Sequence, residues 1–106
     1  MSLILTNTNK STDIYKIENN QAVLYKNLTQ ANSVVASADD YFAVTTQDNV
    51  VDVYKYESGD VRKLCTFELG ADVKAMQFSP KYSYIQVLTY GDSGDNDFVF
   101  SLETQA

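Results

Sequence analysis

Apolar and polar residues alternate in short runs along the whole chain, and each run ends at a group of small or polar residues. A two-residue alternation is typical of β-strands, whose successive side chains point to opposite faces of a sheet. No part of the sequence sustains the competing helical spacing of apolar residues. The pattern therefore predicts an all-β protein. The predicted strands are Leu3–Thr6, Asp13–Glu18, Ala22–Leu28, Ser33–Ala36, Tyr41–Thr46, Val50–Tyr56, Val61–Leu69, Val73–Phe78, Tyr84–Tyr90 and Phe98–Glu103.

One six-residue motif occurs three times among these strands. Asp-Ile-Tyr-Lys-Ile-Glu at 13–18 returns as Asp-Val-Tyr-Lys-Tyr-Glu at 52–57, which is 39 residues later. A looser copy, Phe-Val-Phe-Ser-Leu-Glu, follows after a further 46 residues, at 98–103. Repeats of about 40 residues made of short strands are typical of the four-stranded blades of a β-propeller. The sequence therefore predicts propeller architecture.

The predicted strands make only part of such a propeller. Residues 1–30 form an incomplete first blade, 31–70 a complete second blade, and 71–106 a third blade that lacks its outer strand. The expected fold is thus a partial propeller of about two and a half four-stranded antiparallel blades, whereas a closed ring needs roughly four to eight. Either the chain is the N-terminal piece of a longer protein that supplies the missing blades, or several copies assemble into a ring.

Turn-forming residues support the proposed boundaries. Asn19-Asn20-Gln21 and Ser58-Gly59-Asp60 follow the repeated motif at equivalent places, and both supply residues that tolerate a positive φ in a tight hairpin. A second anchor aligns Ser37–Val44 with Ser79–Val87, with one extra residue in the later copy. Pro80 suits the first corner of the later turn because its ring restricts φ to about −65°.

The charge balance argues against direct binding of nucleic acid by this segment. The chain has 14 acidic and 8 basic side chains and no histidine, which gives a formal net charge of −6. Such a surface repels phosphate. The basic residues are scattered, and only Arg62 and Lys63 are adjacent, so no basic stripe is available to follow a nucleic-acid backbone.

The sequence also favours a cytoplasmic protein. Its N-terminus lacks both the basic region and the long apolar core of a signal peptide, and no run of residues has the length and hydrophobicity of a transmembrane helix. The single cysteine, Cys65, has no partner for an intramolecular disulfide. These features are typical of a reducing compartment.

An acidic loop is the one candidate for metal binding. Asp92, Asp95 and Asp97 lie within six residues and offer carboxylate oxygens of the kind that bind calcium. The segment lacks the spacing and the final glutamate of an EF-hand, and it falls between two predicted strands. A solvated hairpin loop is therefore the favoured interpretation, and ion binding stays an alternative.

No set of residues predicts catalysis. Cys65 lies near Arg62 and Lys63, and neighbouring positive charges lower the pKa of a thiol. However, the chain has no histidine to act as a base, and a cysteine within an apolar strand is commonly a small buried residue. A glycine-rich phosphate loop and a catalytic triad are also missing. We therefore expect a protein without enzymatic activity and without a cofactor.

The chain is rich in tyrosine, with eight in 106 residues. Tyr15 and Tyr54 hold equivalent positions in the repeat, which favours a role in packing the blades against each other. Exposed aromatic side chains also serve as binding surfaces. Tyr82 and Tyr84, which lie close to a predicted turn, are the candidate interaction residues.

The repeat resembles the degenerate type of WD40 propeller, although the chain has no histidine or tryptophan for the signature dipeptides. Within that group it is similar to the N-terminal propeller of eukaryotic translation initiation factor 2A and, behind it, to the propeller of the b subunit of initiation factor 3. Val73–Lys81 resembles the apolar strand of that family running into Phe-Ser-Pro-Lys, and Leu64–Leu69 resembles its preceding outer strand. Phe-Ser-Pro turns also occur in other WD-like propellers.

This resemblance implies a noncatalytic scaffold in translation initiation that associates with the small ribosomal subunit and initiator tRNA. It assigns no role to individual residues. Two alternatives stay open, namely a generic WD-repeat scaffold for protein–protein interaction in another cytosolic complex, and a small β-domain that self-associates into a ring.

Overall fold

A computed structural model describes residues 3–7, 11–28 and 34–102 of the chain. The described residues form ten β-strands and one three-residue 3-10 helix, Pro80–Tyr82. All pairings between the strands are antiparallel. The prediction of an all-β protein is therefore confirmed.

The strands form three separate sheets, each of which is a meander of consecutive strands. The first sheet contains β1 (Leu3–Asn7), β2 (Thr12–Glu18) and β3 (Gln21–Leu28). The middle sheet contains β4 (Val35–Ala38), β5 (Tyr41–Gln47), β6 (Val50–Glu57) and β7 (Asp60–Glu68). The third sheet contains β8 (Val73–Phe78), β9 (Tyr84–Thr89) and β10 (Asn96–Ser101). Each strand corresponds to one predicted from the alternation, with its ends displaced by two residues or fewer within the described ranges. Ser33 and Glu103, the predicted ends of two strands, lie outside the described residues.

Two hairpins have the tight turns that their sequences predict. Asn19 and Asn20 have φ of 51° and 63° between β2 and β3, and Ser58 and Gly59 have φ of 54° and 88° between β6 and β7. Positive φ at both central residues is the geometry of a type I′ turn, whose twist matches that of the paired strands. These turns keep the two copies of the motif in the same position within their sheets.

The connection between β8 and β9 is longer than the sequence alignment predicts. Two residues lie between the paired residues Ala38 and Tyr41 that close the β4–β5 hairpin, whereas four lie between Ser79 and Tyr84, whose backbone atoms form a 3.0 Å hydrogen bond. The alignment expected one extra residue, and the structure has two. Pro80 begins this turn as predicted, and Lys81 follows it with φ of 69°.

A β-bulge recurs at the same place in the first and middle sheets. Between β2 and β3 the pairing skips Tyr25, and between β6 and β7 it skips Leu64. These residues are 39 positions apart, which is the offset of the repeated motif. Because a bulge bends its strand and increases the local twist, the outer strands of the two sheets share a specific irregularity as well as a pattern of apolar residues.

The apolar core lies in two clusters on opposite faces of the middle sheet. Along β5, Phe42 and Val44 pack with Leu3 and Ile14 of the first sheet. Ala43, which lies between them in sequence, belongs to the second cluster, with residues of the third sheet. The other buried members of the second cluster are Val51, Val53, Leu69, Val73, Phe78, Ile85, Val87 and Leu102. The middle sheet is thus covered on both faces.

The three sheets stack in chain order and in the same direction. We call the face that a sheet turns toward earlier residues its N-side face and the opposite face its C-side face. Tyr54 is on the N-side face of the middle sheet, where it packs in the cluster shared with the first sheet. Phe100, the equivalent residue of the looser motif copy, is on the N-side face of the third sheet and stacks on Phe67 of the middle sheet at 4.1 Å between ring centroids.

Backbone hydrogen bonds also connect the sheets. The Leu3 amide of β1 donates to the Asp39 carbonyl at 2.9 Å, and the Val73 amide of β8 donates to the Asp48 carbonyl at 2.7 Å. Both acceptors lie in turns of the middle sheet. The contacts between sheets therefore combine apolar packing with directional bonds, which restricts how one sheet can slide over the next.

Candidate interaction surfaces

Within the described residues, one face is uncovered at the C-terminal end of the stack, the C-side face of the third sheet. Along β9, Ile85 and Val87 are buried against the middle sheet, so the alternate residues point away from it. Tyr84 keeps 48% of its surface exposed, and Val99 of β10 keeps 64%. The register places these residues on the open face: Ala75, Gln77, Tyr84, Gln86, Leu88, Asp97 and Val99.

This face is a mixture of apolar and polar groups. The Gln86 amide Nε2 donates a 3.0 Å hydrogen bond to Asp97 Oδ1, so the polar groups at its centre are partly satisfied within the sheet. A shallow cavity of about 50 Å³ lies beside them and is lined by Ala75, Met76, Gln77, Gln86 and Leu88. The combination of exposed aromatic, aliphatic and amide groups is suited to a protein partner.

A second face that no described residue covers lies at the N-terminal end of the stack, the N-side face of the first sheet. Ile14 of β2 is fully buried against the middle sheet, and its neighbour Tyr15 therefore points the other way. Ile4 and Leu24 are the cross-strand partners of Tyr15 and lie on the same face. Leu24 keeps 56% of its surface exposed. With Ile17, these residues make an apolar stripe across all three strands.

Of the two candidate interaction residues, Tyr82 and Tyr84, the structure describes the side chain of Tyr84 alone. Tyr84 lies on the open C-side face, at the first position of β9. The backbone of Tyr82 belongs to the 3-10 helix, and its side chain lies outside the described part of the chain. Leu24 and Val99 were not among the candidate residues predicted from the sequence. The alternation that placed Tyr84 would have placed them too, once the position of each strand in the stack was known.

The prediction that tyrosines pack between repeats is confirmed for the interface of the first and middle sheets. The rings of Tyr25 and Tyr56 meet edge to face at 5.2 Å, with Lys16 Nζ within 5.6 Å of both centroids. The Tyr25 hydroxyl donates to Asp60 Oδ1 at 3.3 Å. Burial and then the Asp60 carboxylate raise the pKa of Tyr25. Tyr15, which was expected to serve the same purpose, instead lies on the open N-side face.

Tyr54 is part of a partly buried polar cluster inside the stack. Its ring stacks on Phe42 at 5.0 Å. The Thr66 hydroxyl donates to Asp52 Oδ1 at 2.6 Å, and Asp52 is buried. Burial and then the Asp52 carboxylate raise the pKa of the Tyr54 hydroxyl. In the first sheet the equivalent pair, Asp13 and Asn27, is on the exposed side.

The acidic loop contributes carboxylates to its own sheet. Asp95 forms an ion pair with Lys74 at 2.7 Å, which raises the pKa of the Lys74 ammonium group chiefly through their hydrogen bond. Asp97 lies in β10 and accepts the hydrogen bond from Gln86. Asp92 is exposed in the turn. Across residues 3–7, 11–28 and 34–102, no group of three carboxylate or thiol side chains is arranged to hold a metal ion.

Cys65 lies in β7 with its side chain half-buried. Burial, and secondarily the Asp52 carboxylate, raise the pKa of its thiol. This direction is opposite to the lowering considered for Arg62 and Lys63, because burial and the Asp52 carboxylate determine the shift. Cys65 pairs with Val53, whereas Lys63 pairs with Tyr54 and Arg62 with Lys55 on the far side of the bulge. A protonated thiol is a poor nucleophile.

Among the described residues the only helical segment is the three-residue turn, so they contain no helix with the length and hydrophobicity needed to cross a membrane. No protein-family model matches the chain, and no curated protein matches it.

Proposed function

We propose that the protein is a noncatalytic interaction scaffold, built as part of a WD40-like β-propeller. One observation carries the proposal: three antiparallel sheets related by a sequence repeat stack in chain order and in the same direction. Successive propeller blades pack in this way. The two uncovered faces, with Tyr84 and Val99 on one and Tyr15 and Leu24 on the other, are the surfaces available to partners.

We further propose that this scaffold acts in translation initiation, in the cytoplasm, in association with the small ribosomal subunit. The support is the similarity of residues 73–81 and 64–69 to initiation-factor propellers. The first segment makes β8 and the start of the following turn, and the second makes most of β7. Because the chain has a net charge of −6, we expect its contacts to be with ribosomal or factor proteins and not with RNA phosphates.

Co-sedimentation tests this role directly. The purified chain is mixed with small ribosomal subunits and separated on a gradient at near-physiological salt. The proposal predicts that the chain migrates with the subunits. If it stays at the top of the gradient while a known initiation factor migrates in the same tube, the role in translation is wrong.

Two variants locate the contact. Tyr84 lies on the open C-side face, whereas Leu24 is similarly exposed but lies on the open N-side face. We expect Tyr84→Ala to reduce co-migration and Leu24→Ala to leave it near the wild-type level. Equal losses in the two variants would argue against the C-side face as the contact.

A further inference from the structure

Both interfaces within the stack are made by the same pair of faces. The C-side face of the first sheet contacts the N-side face of the middle sheet, and the C-side face of the middle sheet contacts the N-side face of the third. The two uncovered faces are therefore one of each kind. Inside the stack a C-side face packs on an N-side face, and the open C-side face at one end of the molecule is matched by an open N-side face at the other.

We propose that the chain associates head to tail with a second copy of itself, the open C-side face of the third sheet in one chain docking on the open N-side face of the first sheet in the other. The order and direction of the sheets, and not ribosome binding, support this association. Because the ribosomal contact is proposed on the same C-side face, the two partners would exclude each other there, and each association has its own test.

Equivalent positions show what each face contributes to such a contact. Tyr41 of the middle sheet reaches across to Phe78 of the third sheet, with ring centroids 6.2 Å apart, and Tyr84 is its counterpart on the open face. On the opposite side, Tyr54 packs in the cluster with Leu3 of the first sheet, and Tyr15 is its counterpart. Both open faces thus carry an aromatic residue where the covered faces use one.

The open C-side face of the third sheet is more polar than the covered C-side face of the middle sheet, and this polarity weakens the proposed contact between copies. Gln86 and Val99 stand near the centre of the open face, whereas Ala43 and Val53 at the equivalent place in the middle sheet are fully buried. Docking must therefore cover an amide group that is only partly satisfied within its own sheet. We expect reversible, concentration-dependent association rather than a permanent dimer.

The contact is heterologous, because each chain uses a different face toward its neighbour. Such a contact leaves one open face at each end of a pair, so further copies add until a ring closes or an open array forms. This property distinguishes the proposal from a two-fold symmetric dimer, in which both chains use the same face. It also permits a test by mixing two variants.

The experiment is sedimentation velocity over a range of chain concentrations, with three lysine variants. Leu24→Lys places a charge on the open N-side face, and Val99→Lys places one on the open C-side face. Val23→Lys is the matched control, because Val23 is an exposed neighbour of Leu24 and pairs with Lys16 on the opposite face of β3. Circular dichroism verifies that each variant retains its β-structure.

We expect the average mass of the wild-type chain and of Val23→Lys to rise with concentration. Leu24→Lys alone and Val99→Lys alone should each raise the dissociation constant of self-association by about tenfold or more, because an unpaired charge is placed in an apolar contact. An equimolar mixture of Leu24→Lys and Val99→Lys should form pairs and nothing larger, because each variant supplies the face that the other has lost. A wild-type chain that stays monomeric at all concentrations, or a mixture that fails to form pairs, would overturn the inference.

Discussion

Tyr41 and Tyr84 occupy the same position in two successive sheets, yet only Tyr41 is covered by a neighbour. Each is the first residue of the second strand of its sheet, and Tyr41 lies against Phe78 of the next sheet. Tyr84 has no following sheet within the described residues and is half exposed. The difference comes from the place of each sheet in the stack and not from the local sequence, and it leaves the C-side face of the third sheet open within the described residues.

Packing between the first and middle sheets depends on Phe42. This side chain is 1% exposed, whereas Phe98, at the outer edge of the third sheet, is 40% exposed. We expect Phe42→Ala to lower the free energy of unfolding by about 3–5 kcal/mol and Phe98→Ala to cost distinctly less, since only the first leaves a closed cavity. Urea titrations of the two variants make the comparison. Similar losses would show that the first and middle sheets are not packed together.

The hairpin between β6 and β7 requires a residue that tolerates positive φ at position 59. Gly59 has φ of 88° and open space around the position of a Cβ atom, and Gly70 also has open space but no positive φ. Gly59→Ala should therefore cost about 1–2 kcal/mol of stability through backbone strain, while Gly70→Ala should be nearly neutral. Thermal unfolding of both variants tests this prediction, and an equal loss at the two positions would argue against the left-handed turn.

The hydrogen bond from Thr66 to Asp52 should matter more than its counterpart in the first sheet. Asp52 is buried, and removal of its donor leaves a carboxylate without that partner. We expect Thr66→Val to lower the free energy of unfolding by about 1–3 kcal/mol. Asn27→Ala, which removes the exposed partner of Asp13, should lower it by about 1 kcal/mol at most. The measurement is the free energy of unfolding at neutral pH. A larger loss for Asn27→Ala would reverse the assignment of buried and exposed pairs.

Stability should fall at alkaline pH partly through Tyr54. Burial and the Asp52 carboxylate raise the pKa of this hydroxyl in the folded chain, so the folded state holds the proton more tightly than the unfolded state. The resulting stabilisation is complete below the ordinary tyrosine pKa of about 10 and is lost as the pH rises through the higher folded value. Tyr54→Phe should therefore show a shallower decline of unfolding free energy above about pH 9 than the wild type. Parallel declines would exclude this contribution.

Alternation along the chain was sufficient to predict the strands, because nearly every strand has a face in contact with another sheet or a polar face toward solvent. β5 is informative, since its consecutive buried residues Phe42, Ala43 and Val44 contact different sheets. The sequence showed an apolar run there and did not show that the run divides between two clusters. That division depends on the stacking of sheets distant in sequence.

Local backbone features were harder to predict. Asparagine and glycine indicated the turns at 19–20 and 58–59 because these residues tolerate positive φ. Lysine carries no such signal, so the φ of Lys81 and the second extra residue in the connection before β9 were missed. The bulges at Tyr25 and Leu64 also have no local signal, since a bulge changes the pairing without changing the composition of the strand.

Coverage of both faces of the middle sheet by the other two sheets can be tested by nuclear Overhauser effects between aromatic rings in a dilute labelled sample. We expect contacts between Tyr25 and Tyr56 across the first interface and between Phe67 and Phe100 across the second, observed in the same monomeric chain. The absence of either pair while the strands remain formed, or contacts from Phe67 to Tyr25 in place of Phe100, would contradict the stacking order on which both proposals rest.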